Sequence, residues 1–270
     1  MFTTIINDCY DDNARGRQES RIQSLIETPT NFIGVSSDIE AGGNLVDALD
    51  ATNGRRGLIL VNTAPRGERA QQWENGTPFC YFWFEETLVV ATVDGLVLSG
   101  IKKLGFCEEV QLLDTHTSAE AMRAASFIAP DEADRLPRTQ FRSFDFTPRV
   151  GPFLFMGGQV PSTPYPIERV PELPVAVWYI DNFGNCKTTL TKADLHGREE
   201  VETRFGVLPV VEQLRDVPDG HHAITIGSSG FRDTRFLELI IQRQSFAKHH
   251  GVRVGDDLFT EQSYYVQATE

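Results

Sequence analysis

The sequence predicts an α/β protein in which a layer sandwich with a mostly parallel sheet is followed by a smaller, mostly β domain. Three observations carry this reading. Continuous apolar runs alternate with helix-period segments over roughly the first half of the chain, the mark of strands and helices in layers. Five prolines then fall between Pro161 and Pro174, a composition suited to a linker. Beyond them the period shifts toward strands. The expected organisation is therefore residues 1–160 as the α/β domain, 161–174 as the linker and 175–270 as the mostly β domain.

Residues 2–6 (FTTII) read as a short strand that opens into Asp8 and a polar loop. Ile22, Leu25 and Ile26 give residues 19–26 helical spacing, and 32–35 suit a second strand. A helix is expected over 38–49, with Ile39, Leu45, Val46 and Leu49 mostly on one face. The unbroken run Gly57–Val61 fits a strand buried on both faces of a parallel sheet, ending in the polar loop 62–69. Strands follow at 79–84 and 88–92, with a turn at Asp94-Gly95. An alanine-rich helix is expected over 119–129, flanked by Thr117 and Pro130. Ligands bind such sheets at the carboxyl ends of the strands, and Asp8 and Asn62 each follow such an end. In the last third, strands are expected at 175–180, 186–190, 222–226 and 236–243. A short helix at 245–250 should stop at Gly251, a suitable left-handed cap.

Composition narrows the function classes. A chain of 270 residues with 40% hydrophobic and 23% charged residues is ordinary for a soluble globular protein. Its net charge of −13 argues against a nucleic-acid partner, because phosphate binding needs clustered Lys and Arg. The same acidity is compatible with a cationic small molecule. Cys9, Cys80, Cys107 and Cys186 are widely spaced, as expected of reduced thiols in a cytoplasmic protein. The N-terminal residues lack a basic n-region and turn polar early, which does not suit a signal peptide. No apolar run approaches the roughly 18 residues of a membrane span. The sequon Asn75-Gly76-Thr77 is accordingly not expected to matter.

The richest segment chemically is Trp178-Tyr179-Ile180-Asp181-Asn182-Phe183-Gly184-Asn185. It places an anion, a flat apolar ring and an amide at the end of an apolar strand, with a glycine that permits a positive φ. Those groups suit a purine held beside a cationic amine, although Asp, Asn and Gly also make plain turns. Gly227-Ser228-Ser229-Gly230 lacks the G-x-S-x-G spacing of a nucleophile elbow. It reads as a turn whose N–H groups and hydroxyls could hold a carboxylate. No phosphate loop is present, and Gly42-Gly43 lies inside a helix-period segment. His249-His250 and His221-His222 are adjacent pairs that should face different directions, so no metal site is expected. His116, just before the alanine-rich helix, is a loop histidine able to reach a cleft.

Five segments in order resemble the S-adenosylmethionine hydroxide adenosyltransferases, relatives of the bacterial fluorinase and chlorinase. Ile6-Asn7-Asp8 resembles the family's opening strand. Leu60-Val61-Asn62-Thr63-Ala64-Pro65-Arg66-Gly67-Glu68-Arg69 resembles its V-V-D-P-G-V-G-T-x-R loop. His116 with the helix through Ala129 resembles a segment that begins H-G-R-D. Ile180-Asp181-Asn182-Phe183-Gly184-Asn185 matches I-D-x-F-G-N closely. Gly227-Ser228-Ser229-Gly230-Phe231, Leu237-Glu238-Leu239 and Gly251-Val252-Arg253-Val254-Gly255-Asp256 resemble its closing motifs.

The resemblance implies a barrel-like second domain and a homotrimer, with S-adenosylmethionine between one chain's first domain and a neighbour's second. The small molecule is then substrate, with no further cofactor. Asp8 would bind the ribose hydroxyls and Asp181 the methionine ammonium. Phe183 would lie on the adenine, Asn185 at its edge, and Ser228 or Ser229 near the carboxylate, beside Phe231. The family's water-activating Asp, Arg and His fall at Asn62, Arg69 and His116. The expected reaction is attack of water or hydroxide at the ribose C5′, giving adenosine and L-methionine. A halide in place of water is one alternative. The other is a catalytically weak S-adenosylmethionine or adenosine binder, since Asn62 cannot accept a proton and Thr117-Ser118-Ala119 replaces G-R-D.

Overall fold

The structure, a computed structural model, describes residues 1–64 and 77–259. It divides into two compact units, Met1–Glu172 and Leu173–Glu270. Arg69 and the first two residues of the sequon lie outside the described residues.

Unit 1 begins with β1 (Thr3–Asn7), α1 (Asp12–Leu25), β2 (Thr30–Gly34), α2 (Asp38–Thr52) and β3 (Gly57–Asn62). It continues through β4 (Phe79–Phe84), β5 (Thr87–Thr92), α3 (Ser99–Lys103), β6 (Glu109–Leu113) and α4 (Thr115–Ala124). It ends with α5 (Pro130–Arg135), α6 (Arg142–Asp145), α7 (Thr147–Phe155) and β7 (Ser162–Pro166). The seven strands form one sheet in the order β2-β1-β3-β5-β4-β6-β7. The four strands β2, β1, β3 and β5 run parallel, and the ladders from β5 through β4 and β6 to β7 are antiparallel.

Both faces of the parallel strands are covered. Ile5, Leu58, Leu60, Leu88 and Val90 share a core with Ile22 of α1, Met122 of α4 and Val150 and Leu154 of α7. The alternate residues Ile6, Ile59, Val61 and Val89 are buried too, as expected for the opposite face, and α2 packs on β1 and β3. Helix α2 approaches its neighbour closely at Gly42, where a Cβ would lie 2.8 Å from the Leu96 carbonyl oxygen. Gly42 therefore serves the packing of α2 against the backbone at Leu96 and Val97.

Three elements of unit 1 differ from the sequence expectation. Helix α1 starts at Asp12, seven residues early, because Asp11 caps it by accepting from the Asn13 and Ala14 N–H groups at 3.0 Å. Its buried face is Ala14, Gln18 and Ile22, and the polar Gln18 hid the helix period. The alanine-rich helix is Thr115–Ala124, earlier at both ends than expected. Asp114 caps it by accepting from the Thr117 N–H at 2.8 Å, and Ser126 at φ 57° breaks it. Part of the expected linker at 161–174 is β7, which pairs antiparallel with β6. Pro164 and Pro166 are accommodated because β7 is an edge strand.

Unit 2 consists of β8 (Val177–Ile180), β9 (Cys186–Thr191), β10 (Glu200–Thr203), β11 (Gly206–Val211), β12 (His222–Phe231), β13 (Thr234–Ile241) and α8 (Phe246–His250). Its six strands form one sheet in the order β10-β11-β12-β13-β9-β8. Phe246, Leu237, Leu239, Ile224, Val177 and Leu258 lie in its core. Ser245 caps α8 by accepting from the Lys248 N–H at 3.1 Å, and Gly251 ends it at φ 67°. The Gly227–Gly230 segment, expected as a turn, lies inside β12 as an irregularity in the β12–β13 ladder. The turn of that hairpin is Arg232-Asp233.

Candidate functional site

In unit 1 the candidate residues collect where the parallel sheet changes direction of travel. The chain leaves β1 for β2 on one side and returns to β3 on the other. The carboxyl ends of β1 and β3 therefore flank a topological switch point, the usual ligand crevice of such sheets. Asn7 and Asn62 are paired across that boundary, with Asp8 one residue beyond. The half-buried Asn62 amide donates to Asn7 Oδ1 at 3.3 Å and to Asp8 Oδ1 at 3.4 Å. The Ala64 N–H donates to Asp8 Oδ2 at 2.9 Å, and buried Asn7 donates to Gln18 Oε1 at 2.7 Å. Asp8 is thus a positioned carboxylate with both oxygens engaged and lone pairs left over. An amide at position 62 donates to it, where a second carboxylate would repel it.

His116 is not a loop residue. It is exposed in the first turn of α4, because the Asp114 cap starts that helix before it. Helix α4 follows β6, which lies three strands from β3, about 14 Å across a sheet with ordinary strand spacing. Asn62 and His116 therefore share one edge of the sheet without meeting in the described structure.

In unit 2 the Asp181–Asn185 segment is the loop of the β8–β9 hairpin, and its acid organises it. Asp181 Oδ1 accepts from the Phe183 and Asn185 N–H groups, both at 2.9 Å, and Oδ2 accepts from Asn185 Nδ2 at 3.0 Å. The backbone closes the loop through Asp181 N–H to the Asn185 carbonyl and Gly184 N–H to the Asp181 carbonyl, each 3.0 Å. Gly184 sits at φ 86°, and a Cβ there would overlap Ser245 Oγ. The outcome is a rigid loop that holds the Phe183 ring 71% exposed. A large aromatic kept in water by a pinned backbone is a ready stacking platform.

The serines join this loop through a residue that sequence reasoning missed. Lys187, two residues after Asn185, donates to Ser229 Oγ at 2.5 Å and Ser228 Oγ at 3.3 Å. It lies 4.0 Å from Glu238 and near the Trp178 and Tyr179 rings, at 5.8 and 6.0 Å. Arg235 donates to the Ser228 and Gly230 carbonyls at 3.2 and 3.4 Å. Ser228 is exposed and Ser229 buried, so the hydroxyl available to a ligand is that of Ser228. Phe231 ends β12 half-buried under the Arg232 guanidinium, 4.8 Å from its ring centre. A lone lysine in a strand carries no sequence signature; only the Lys187–Glu238 pairing across β9 and β13 identifies it. Burial, helped by nearby Asp181, Asp256 and Glu238, pushes the Cys186 thiol up to about 12, so it is no nucleophile.

A concavity of about 780 Å³ elsewhere in unit 2 is lined by Lys192, Leu195, Arg198, Glu199 and Glu212, among others. None of the candidate residues lines it. Among the described residues, no helix is long and apolar enough to cross a membrane.

Residues 175–259 match the family model of the SAM hydroxide adenosyltransferase C-terminal domain. Unit 2 is thus similar to the C-terminal domain of the SAM hydroxide adenosyltransferases. The match contains the Asp181–Asn185 loop, Lys187 and the Ser228–Ser229 pair, so the loop lies in the part of the chain that is similar to that domain. Two solved structures resemble the whole chain. An uncharacterized conserved protein from Thermotoga maritima is 17% identical with a TM-score of 0.63, covering 94% of this chain and 98% of its own. A conserved hypothetical protein from Thermus thermophilus is 18% identical with a TM-score of 0.54, covering 94% and 97%. At such identity they establish the shared two-part α/β fold alone. No curated protein matches the chain in sequence.

Proposed function

We propose that the protein cleaves S-adenosylmethionine by attack of water or hydroxide at the ribose C5′, releasing adenosine and L-methionine. The observation that carries this reading is the pinned Asp181–Asn185 loop, with its exposed Phe183, inside the SAM hydroxide adenosyltransferase C-terminal domain. In this reading Phe183 stacks on the adenine and Asn185 meets its edge with the amide valences not spent on Asp181. Asp181 has a lone-pair position left on Oδ2 for the methionine ammonium. Ser228 receives the carboxylate with Lys187 as counter-charge, beside Phe231, while Asp8 takes the ribose hydroxyls. The substrate needs no added cofactor, and the proposed assembly is a homotrimer in which copies of the chain complete each other's sites.

The oxygen–C5′ bond forms as the C5′–sulfur bond breaks, and that electron pair stays on sulfur as a neutral thioether. Because the leaving group is already good, the protein's task is to place a poorly hydrated nucleophile opposite sulfur. Asn62, Arg69 and His116 are assigned to that nucleophile. Asn62 can orient water but cannot accept its proton, so the proton passes to solvent. A second reading follows from the same residue. With an amide donated to Asp8 where a base is wanted, the protein binds S-adenosylmethionine or adenosine with little turnover.

Incubation of the purified chain with S-adenosylmethionine, with and without chloride or fluoride, separates these readings by product chromatography. Adenosine and methionine in equal amounts support hydrolysis, and a halogenated nucleoside would transfer the proposal to a halide. Tight binding without product favours the binder, and absence of any adenosyl binding overturns the family-based reading of the site. Phe183→Ala gives a finer check. Loss of one stacking face should weaken adenosine binding by about 1–3 kcal/mol, roughly 5- to 150-fold. Thermal stability should stay within about 0.5 kcal/mol, since the ring is exposed. Calorimetric titration and thermal melting read the two effects separately.

A further inference from the structure

Unit 2 contains a second constellation, partly on the helix α8 that packs against the Asp181 loop, and unassigned by anything above. His222 opens β12, and His249 and His250 end α8. The adjacent histidines were expected to diverge, yet the fold gathers all three. Their ring centroids are 5.1 Å apart for His222–His249, 5.0 Å for His222–His250 and 4.6 Å for His249–His250. One ring nitrogen from each lies within 4.8 Å of the others. Divergence holds for Cβ vectors along a continuing helix. Here the helix stops at Gly251, so neighbouring imidazoles in its last turn can both lean over the start of β12.

We propose that His222, His249 and His250 form a binding site for a borderline first-row divalent cation, tested here as zinc. Two further observations support it. The Nε2 atoms of His222 and His250 are both buried with no hydrogen-bond partner. A buried polar nitrogen without a partner is destabilising, and an ion coordinated through these two atoms would relieve both defects together. The donor set is also chemically suited, since neutral imidazoles bind zinc, copper and nickel well.

The geometry is close to what an ion requires. Zinc–nitrogen bonds of about 2.0–2.1 Å in a tetrahedron place ligand nitrogens about 3.3 Å apart. The present limit of 4.8 Å closes to that by small rotations of the rings, which exposed His249 can make most freely. That same exposure supplies an entry path. Phe246 and Phe205 form one wall, their ring centroids 4.5 and 5.3 Å from that of His250. No Cys, Asp or Glu joins the cluster among the described residues, so solvent would complete the coordination, as in open three-histidine sites.

The test uses the tag-free full-length chain, after treatment with a chelator and gel filtration. Isothermal titration with zinc should show one ion per chain, and His249→Gln should weaken it by more than the roughly 100-fold that loss of an outer-shell partner costs. His222→Gln should do the same, while His196→Gln, outside the cluster, should leave binding unchanged. Circular dichroism checks that the variants are folded; should His222→Gln unfold, the exposed His249→Gln decides. Cobalt in place of zinc should give visible ligand-field bands without the near-ultraviolet charge transfer of a thiolate. Absence of stoichiometric binding, binding indifferent to His249→Gln, or a thiolate signature would each overturn the proposal. Cleavage of S-adenosylmethionine is not part of the readout, so the two proposals stand or fall separately.

Discussion

Replacing Gly184 by alanine is expected to disrupt the Asp181–Asn185 loop and abolish adenosyl binding. Two effects add. The residue sits at φ 86°, where a side chain costs about 1–2 kcal/mol. Its Cβ would also overlap Ser245 Oγ and lie 2.6 Å from Ser245 Cβ. Ser245 cannot yield without releasing the Lys248 N–H it caps, a loss of about 1 kcal/mol. The Gly184 carbonyl meanwhile accepts from the Ala247 N–H at 3.0 Å, so the loop cannot retreat without loosening α8. A total near 2–3 kcal/mol is expected from these terms, read by urea unfolding. In a double-mutant cycle, Ser245→Gly should remove the overlaps with Oγ and Cβ, making the pair of changes less than additive. Strict additivity would mean the contact is not made.

Restoring a carboxylate with Asn62→Asp should raise the hydrolysis rate, by up to the roughly 10²–10⁴-fold typical of general-base help. The amide nitrogen of Asn62 now lies 3.4 Å from Asp8 Oδ1. A carboxylate in its place would share one proton with Asp8, raising one apparent pKa of the pair. The rate should therefore climb with pH through that raised value, because only the ionised form accepts a proton. Stability should move oppositely. An acid whose folded pKa lies above its unfolded one binds more protons when folded, so stability falls as pH rises through that window. A pH–rate profile and urea melts at acidic and neutral pH check both signs. Unchanged hydrolysis would remove position 62 from the nucleophile's surroundings.

What the sequence revealed depended on whether the cause was local. The run Gly57–Val61 is apolar at every step because β3 is buried on both faces, and its neighbours β1 and β5 follow from the same rule. The Asp181–Asn185 loop was legible because its acid, glycine and amide lie within five residues and organise one another. Lys187 and the three histidines were not, since strand pairing and the packing of α8 bring them together from distant parts of the chain. Gly227–Gly230 carries turn residues yet bends a strand, a choice made by its ladder with β13. The start of α4 depended on one cap, Asp114, and misplacing it turned His116 from a helix residue into a loop residue.

The proline-bearing strand β7 has a consequence for self-association. It is the outer strand of the seven-stranded sheet beyond β6, where an unpaired backbone row would invite a strand from another molecule. Pro164 and Pro166, opposite Gln111 and Glu109, offer no N–H to such a visitor. Stacking of chains edge to edge into a growing fibre is thus blocked at this margin by the absence of two hydrogen atoms.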